Sequence, residues 1–129
     1  LSQSGGMLGF SLYPHHLNGN SNCKLDNFCE MVARTAEIMD VKNLGIGSDL
    51  CLNQPDEIVE WMRNGTWTKK KVYGEGTASN VGFPDQPSWF KDARGFKNIE
   101  NGLKKIGFDS DEINGILGNN WYNFYKGIN

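Results

Sequence analysis

Two short apolar segments on either side of an amphipathic helix constrain the fold of this chain more than any other feature. The first covers residues 6–13 (GMLGFSLY) and is closed by Pro14, and the second covers residues 41–48 (VKNLGIGS). Between them, over residues 24–40, apolar side chains recur at three- and four-residue spacing, which predicts a helix with one buried face and Asn22 as its N-cap. A helix between two buried strands is a βαβ unit, whose strands are parallel in nearly all proteins. The sequence therefore predicts an α/β fold.

The second half of the chain predicts helices and one long loop. Helical periodicity is present at residues 55–64 and 98–106, and residues 65–88 have the composition of a loop whose length is often functional. Asp109 followed by Glu112 is a capping box that starts another helix. The glycines expected to stop helices are Gly65, Gly107 and Gly118. A last apolar stripe, expected to lie in the core or dock on it, consists of Trp121, Phe124 and Tyr125.

Composition narrows the class of protein. The 129 residues carry 13 basic and 15 acidic side chains, a net charge of −2, so a nucleic-acid partner is not expected. Because the chain has no apolar stretch of about 18 residues, we expect a soluble protein, either cytoplasmic or exported. Its three cysteines, Cys23, Cys29 and Cys51, form no CxxC pair, which argues against a structural zinc site. Cys29 lies on the apolar face of the helix and is expected in the core.

The segment LGIGSD, residues 44–49, is the most informative for chemistry. Glycine inside a strand gives up packing, so it usually marks the close approach of another group. Gly45 and Gly47 share one face of the predicted strand, and Asp49 follows on that face where the strand ends. Ligands of parallel α/β folds bind at the carboxyl ends of strands. Asp49 is therefore a candidate metal ligand, general base or proton carrier, with a turn-capping role as the alternative.

Three residues at the end of the first predicted strand or just past it belong to the same end of the sheet. They are Tyr13, His15 and His16. Adjacent histidines of a strand point to opposite faces, so the pair cannot reach one metal ion without a turn. A role in the substrate pocket and a plain surface position both remain open for these residues.

Three segments occur in an order and spacing that a known family shares. They are Gly5-Gly6-Met7-Leu8-Gly9-Phe10, then Gly45-Ile46-Gly47-Ser48-Asp49, then Gly107-Phe108 with Asn114-Gly115-Ile116-Leu117-Gly118-Asn119-Asn120-Trp121. In this respect the chain resembles the C-terminal part of the membrane dipeptidase (renal dipeptidase) family. The resemblance implies a (β/α)8 TIM barrel of the metal-dependent hydrolase type, with its last two strands here. Such a barrel needs about 250 residues. Residues 1–129 would then be the C-terminal part of a single barrel domain, with no second domain.

The same resemblance implies zinc-dependent hydrolysis of dipeptides by a longer parent protein with two zinc ions per site. Asp49 matches the first Asp of the family's G-S-D-F-D-G and would carry the proton of the attacking water, while Gly45, Gly47 and Ser48 would form the pocket wall. The zinc ligands of the family come from earlier strands, so no metal ligand is expected in this chain. Leu50-Cys51-Leu52 replaces the family's F-D-G, which leaves the loop after Asp49 and the substrate preference open.

Other functions remain open. A related metal hydrolase would act on another small amide, a lactam or an ester. A non-catalytic binding domain would use exposed aromatic side chains such as Trp67, Trp89 and Trp121. The expected partners are a dipeptide-like substrate and the rest of the parent chain, and homodimer formation is open. The isolated 129 residues are expected to be inactive and to bind little zinc.

Overall fold

The first 50 residues form the predicted βαβ unit. The computed structural model describes residues 2–50 and 84–128, together with residues 55, 57, 58 and 61. Strand β1 (Leu8–Ser11) and strand β2 (Leu44–Gly47) pair in parallel, and helix α1 (Leu25–Ala36) lies between them in sequence. In the register of this pair, Gly9 lies opposite Gly45 and Ser11 opposite Gly47. The predicted topology is therefore confirmed.

The elements of this unit are shorter than predicted, because tight turns occupy their ends. A 3-10 turn over Val41–Asn43 precedes β2, and the Asp40 carboxylate accepts a hydrogen bond from the backbone N–H of Lys42 at 3.1 Å. The prediction of Asn22 as the N-cap of α1 was wrong. Residues Asn20–Asn22 form their own 3-10 turn, and Lys24 occupies the N-cap position without a side-chain hydrogen bond.

Helices make up the described part of the second half. Helix α2 (Phe96–Lys105) ends before Gly107, whose φ of +107° is a backbone conformation that favours glycine. Helix α3 (Ser110–Asn114) starts with the predicted capping box: Asp109 Oδ1 accepts from the N–H groups of Asp111 and Glu112, and Glu112 Oε2 accepts from the N–H of Asp109. A π-helical segment (Gly115–Asn119) and helix α4 (Asn120–Ile128) follow. Gly118 has non-helical backbone angles, so the chain kinks at the predicted stop and then resumes a helix.

The chain divides into two compact units. One consists of Leu1–Leu50 with Gln86–Asn129, and the other of Cys51–Asp85. Within the second unit, residues 57, 58 and 61 are helical, in agreement with that part of the predicted helix at 55–64. Most of the predicted 65–88 loop, along with Gly65, Trp67, Cys51 and Leu52, lies outside the described residues. None of the helices that the structure describes has both the length and the apolar character needed to cross a membrane.

The core of the first unit lies between the sheet and the helices. Phe10 of β1 meets Phe28 of α1 edge to face, with ring centroids 6.2 Å apart, and Phe28 also contacts Trp89 at 5.3 Å. The strand face that carries Phe10 therefore packs on α1. On the other side of α1, a Cβ added to Gly102 would lie 2.5 Å from Cys29 Sγ, so α1 and α2 approach each other closely at this glycine. Cys29 is fully buried, as predicted.

Candidate functional site

Trp121 covers part of the strand face that the glycines leave bare. Its indole Nε1 donates a hydrogen bond to the backbone oxygen of Ile46 at 3.1 Å. A Cβ added to Gly45 would lie 2.7 Å from Trp121 Cδ1 and closer still to Nε1, and one added to Gly9 would lie 3.0 Å from Cζ2. The expectation that Gly45 lines a pocket is therefore corrected, because the group that approaches this glycine is an indole ring of the same chain.

The strand face that carries Gly9, Ser11, Gly45 and Gly47 is called the glycine face below. Its open part lies at the carboxyl ends of the two strands. Gly47 is exposed, and among the described residues only the backbone oxygen of Phe10 would lie within 4 Å of a Cβ added there, at 4.0 Å. Its partner across the sheet is Ser11, whose side chain shares the face because side chains alternate along a strand. Ser48, the next residue, is half-buried. The space predicted for a ligand is thus smaller than expected. It comprises the surface at Ser11 and Gly47 and the region just past the carboxyl ends of the two strands.

Asp49 lies at this edge, two residues past the end of β2. Its side chain is exposed, and its φ of +51° is in the left-handed region, where aspartate is several-fold enriched over most other residues. Such backbone conformations cost free energy and concentrate at functional sites. The carboxylate can accept a proton or a hydrogen bond at the end of the sheet where parallel α/β folds bind ligands.

Tyr13, His15 and His16 follow β1 at the same edge and lie close together. Residues Pro14–His16 form a 3-10 turn, so the strand geometry that would separate the two histidines does not apply. The ring centroid of Tyr13 lies 5.8 Å from that of His15 and 5.2 Å from that of His16. His16 Nδ1 lies 2.8 Å from Ser11 Oγ, a hydrogen bond that sequence reasoning missed. The alternation of β1 could have placed Ser11 on the glycine face, but not this contact.

The described residues do not by themselves form a metal site. No group of three or more His, Cys, Asp or Glu side chains within the described ranges is arranged to hold a metal ion.

The cysteines and tryptophans that the sequence singled out are mostly structural. Burial raises the pKa of the Cys29 thiol to about 11, which makes it a poor nucleophile at neutral pH. Trp89 is buried rather than exposed, and its indole N–H donates to the backbone oxygen of Cys23 at 2.7 Å. The expectation that Trp89 forms an exposed binding surface is therefore wrong, and Trp121 is half-buried against the sheet.

Comparisons with known proteins support the fold. No protein-family model matches the sequence, and no curated protein matches it either. The crystal structure of an amidohydrolase from Pseudomonas aeruginosa is similar, with a TM-score of 0.75 and 18% sequence identity over 95% of this chain. The match covers 36% of that structure, so the chain spans about a third of its length. The described fold is therefore similar to part of an amidohydrolase.

Proposed function

We propose that this chain forms part of the active site of a metal-dependent hydrolase, at the carboxyl ends of its two strands. In this proposal Asp49 is the proton carrier. The observation that supports this most directly is the position of Asp49. The residue lies two positions past the end of a parallel strand, is exposed, and adopts a left-handed backbone conformation close in sequence to the open Gly47. The similarity in fold to an amidohydrolase agrees with this proposal.

The described residues would make two contributions to the reaction. They leave open space for a substrate, and they supply a carboxylate that transfers a proton. Gly47 leaves room for a substrate against the sheet, since no side chain fills this position. The Asp49 carboxylate takes a proton from the water that attacks the amide carbonyl and returns it to the departing amine. The resemblance to the membrane dipeptidases favours a dipeptide as the substrate and zinc as the metal. Among the described residues, no group of three or more His, Cys, Asp or Glu side chains could hold this zinc.

The test is Asp49→Asn in the full-length protein that contains this chain. We expect kcat for hydrolysis of L,L-dipeptides to fall by about 10²–10⁴-fold, because the amide cannot accept the proton, while the metal content stays unchanged. Glu37→Gln is the matched control, since this exposed carboxylate follows α1 and precedes β2, at the opposite edge of the sheet. Near-wild-type turnover of Asp49→Asn with full metal occupancy would contradict the assigned role.

A different small amide, a lactam or an ester is the second candidate substrate. The observation that favours it is the Leu50-Cys51-Leu52 stretch, which departs from the dipeptidase pattern directly after Asp49. Rates on L,L-dipeptides, L,D-dipeptides and lactams, measured side by side, separate the two candidates.

The isolated 129-residue chain gives a second test of the proposal. We expect no hydrolysis of any of these substrates and little bound zinc, because one carboxylate is not a metal site. Tight stoichiometric zinc on the purified chain, measured by elemental analysis after dialysis, would contradict this expectation.

A further inference from the structure

Ser11 places the ring of His16 on the open part of the glycine face. The register of the sheet pairs Ser11 with Gly47, and the Ser11 side chain shares a face with Gly47. Because His16 Nδ1 lies 2.8 Å from Ser11 Oγ, the imidazole must lie over the same face. The ring therefore lies at the C-terminal end of β1, next to β2. Asp49 follows the C-terminal end of β2.

The imidazole of His16 is held in place although it is exposed. Its backbone N–H donates to the oxygen of Tyr13 at 2.9 Å within the 3-10 turn that Pro14 begins, and its ring meets that of Tyr13 edge to face. Ser11 Oγ holds one ring nitrogen. Ordering an exposed side chain costs conformational entropy, and no packing requirement of the core explains these contacts. The ring of His16 is therefore restricted in the directions in which it can present its second nitrogen.

The hydrogen bonds of Ser11 allow its hydroxyl to act as a donor to His16. Ser11 Oγ already accepts a hydrogen bond from the backbone N–H of Tyr13 at 3.2 Å. The hydroxyl proton can then be donated to Nδ1 of His16. In the neutral imidazole one nitrogen accepts and the other donates, so with the hydroxyl as donor to Nδ1 the ring proton is on Nε2, which faces away from Ser11.

We propose that His16, oriented by Ser11, donates its Nε2–H to a carbonyl or carboxylate oxygen of the substrate beside Gly47. Ser11 is a positioning residue in this arrangement, and His16 is a binding group rather than a base. The two sides of the site then have complementary roles, since Asp49 accepts and His16 donates. This inference rests on the proposed hydrolytic function, but the orientation of His16 is tested independently of it.

Nitrogen NMR of the 129-residue chain tests the orientation. In long-range ¹H–¹⁵N spectra, we expect Nδ1 of neutral His16 to be unprotonated and Nε2 to be protonated. Ser11→Ala removes the donor and should shift both ring-nitrogen signals of His16, while Ser11→Thr, which keeps a hydroxyl, should restore them. His15, for which the structure shows no contact with Ser11, is the internal control. A protonated Nδ1, or nitrogen signals that Ser11→Ala leaves unchanged, would overturn the proposal.

Kinetics of the full-length protein test the role. His16→Ala should lower kcat/KM by about 100-fold, as loss of a fixed donor to a reacting oxygen does. His16→Gln keeps an N–H near the position of Nε2 and should recover to within about tenfold of the native value. Ser11→Ala should cost about tenfold, with rescue by Ser11→Thr. If His16→Gln is as impaired as His16→Ala, the ring acts as a base and the donor role fails.

A comparison of two substrates identifies which substrate oxygen accepts the hydrogen bond from His16. The effect of His16→Ala is compared between a dipeptide and its C-terminal amide. A defect that disappears with the amide assigns the donor to the free carboxylate, and one that persists assigns it to the scissile carbonyl. A protein inactive on every dipeptide and lactam would refute the proposed function, whereas the nitrogen spectra still decide whether Ser11 orients His16.

Discussion

Replacement of Gly45 by alanine is the sharpest test of how this fold is held together. The added Cβ would lie 2.7 Å from Trp121 Cδ1, whereas ordinary van der Waals contacts lie at 3.4–4 Å. The obstacle is an aromatic ring and not the end of a flexible side chain. The ring cannot simply slide away along the sheet, because its other edge lies over Gly9 and its outer face stacks on Tyr125 with centroids 6.0 Å apart. Gly45→Ala must therefore displace the indole from the sheet.

The expected loss of stability has two parts. Overpacking of a well-packed position typically costs about 1–3 kcal/mol. Displacement of the ring also breaks the hydrogen bond from Trp121 Nε1 to the oxygen of Ile46, which contributes about 0.5–1.5 kcal/mol. Together these predict a decrease of about 1.5–4.5 kcal/mol in the free energy of unfolding.

Urea unfolding followed by far-UV circular dichroism measures this decrease. Gly47→Ala is a matched control on the same strand and face, and we expect it to raise the free energy of unfolding by about 0.5–1 kcal/mol, since no described atom lies closer than 4.0 Å to the added Cβ. In a Trp121→Ala background, the cost of Gly45→Ala should largely disappear, because the clashing ring is gone. Equal losses for Gly45→Ala and Gly47→Ala, or an unchanged cost without Trp121, would refute this account of the glycine face.

Contacts elsewhere in the described chain lead to three more expected outcomes. Gly102→Ala would bring a Cβ to 2.5 Å from Cys29 Sγ and should cost about 1–3 kcal/mol in urea unfolding, and much less when Cys29→Ala is already present. Asn120 Nδ2 donates to the backbone oxygens of Val41 and Leu44, each at 2.8 Å, so Asn120→Asp should destabilise the chain more than Asn120→Ala, and equal losses would contradict this. Burial, with a smaller contribution from a nearby carboxylate, raises the pKa of Cys29 to about 11, so the unfolded state releases this proton first. Urea midpoints should therefore fall as the pH rises from about 9 to 11 in the native chain, and less in Cys29→Ala.

The sequence predicts those parts of the fold that depend on residues close together in the chain. The βαβ unit follows from apolar segments and helical periodicity within 50 residues, and the Asp109 capping box follows from side chains three residues apart. The exact ends of the elements were not predictable from periodicity. Turns such as Val41–Asn43 are stabilised by one or two hydrogen bonds, and the apolar pattern runs through them without a change.

The candidate site was predictable only in part. Parallel pairing of the strands puts Asp49 and the two histidines at one edge, as predicted, while their chemical roles remain predictions. The contact of Trp121 with the glycine face could not be derived, because it joins residues about 75 positions apart. The pairing of Ser11 with His16 spans only five residues, yet it depends on a 3-10 turn that reverses the expected strand geometry.

The two glycines of β2 serve different requirements, although they lie on the same face and two residues apart. Gly45 is explained by the fold, since any Cβ there meets the Trp121 ring. Gly47 has no such explanation: its φ is outside the left-handed region, and among the described residues only the Phe10 backbone oxygen comes as close as 4.0 Å to a Cβ added there. Alanine at a strand position of this kind would be more stable by about 0.5–1 kcal/mol, so the glycine at 47 forgoes stability that the fold offers. We propose that a requirement for empty space beside Ser11 and His16 accounts for that cost, which favours Gly47 over Gly45 as the pocket glycine.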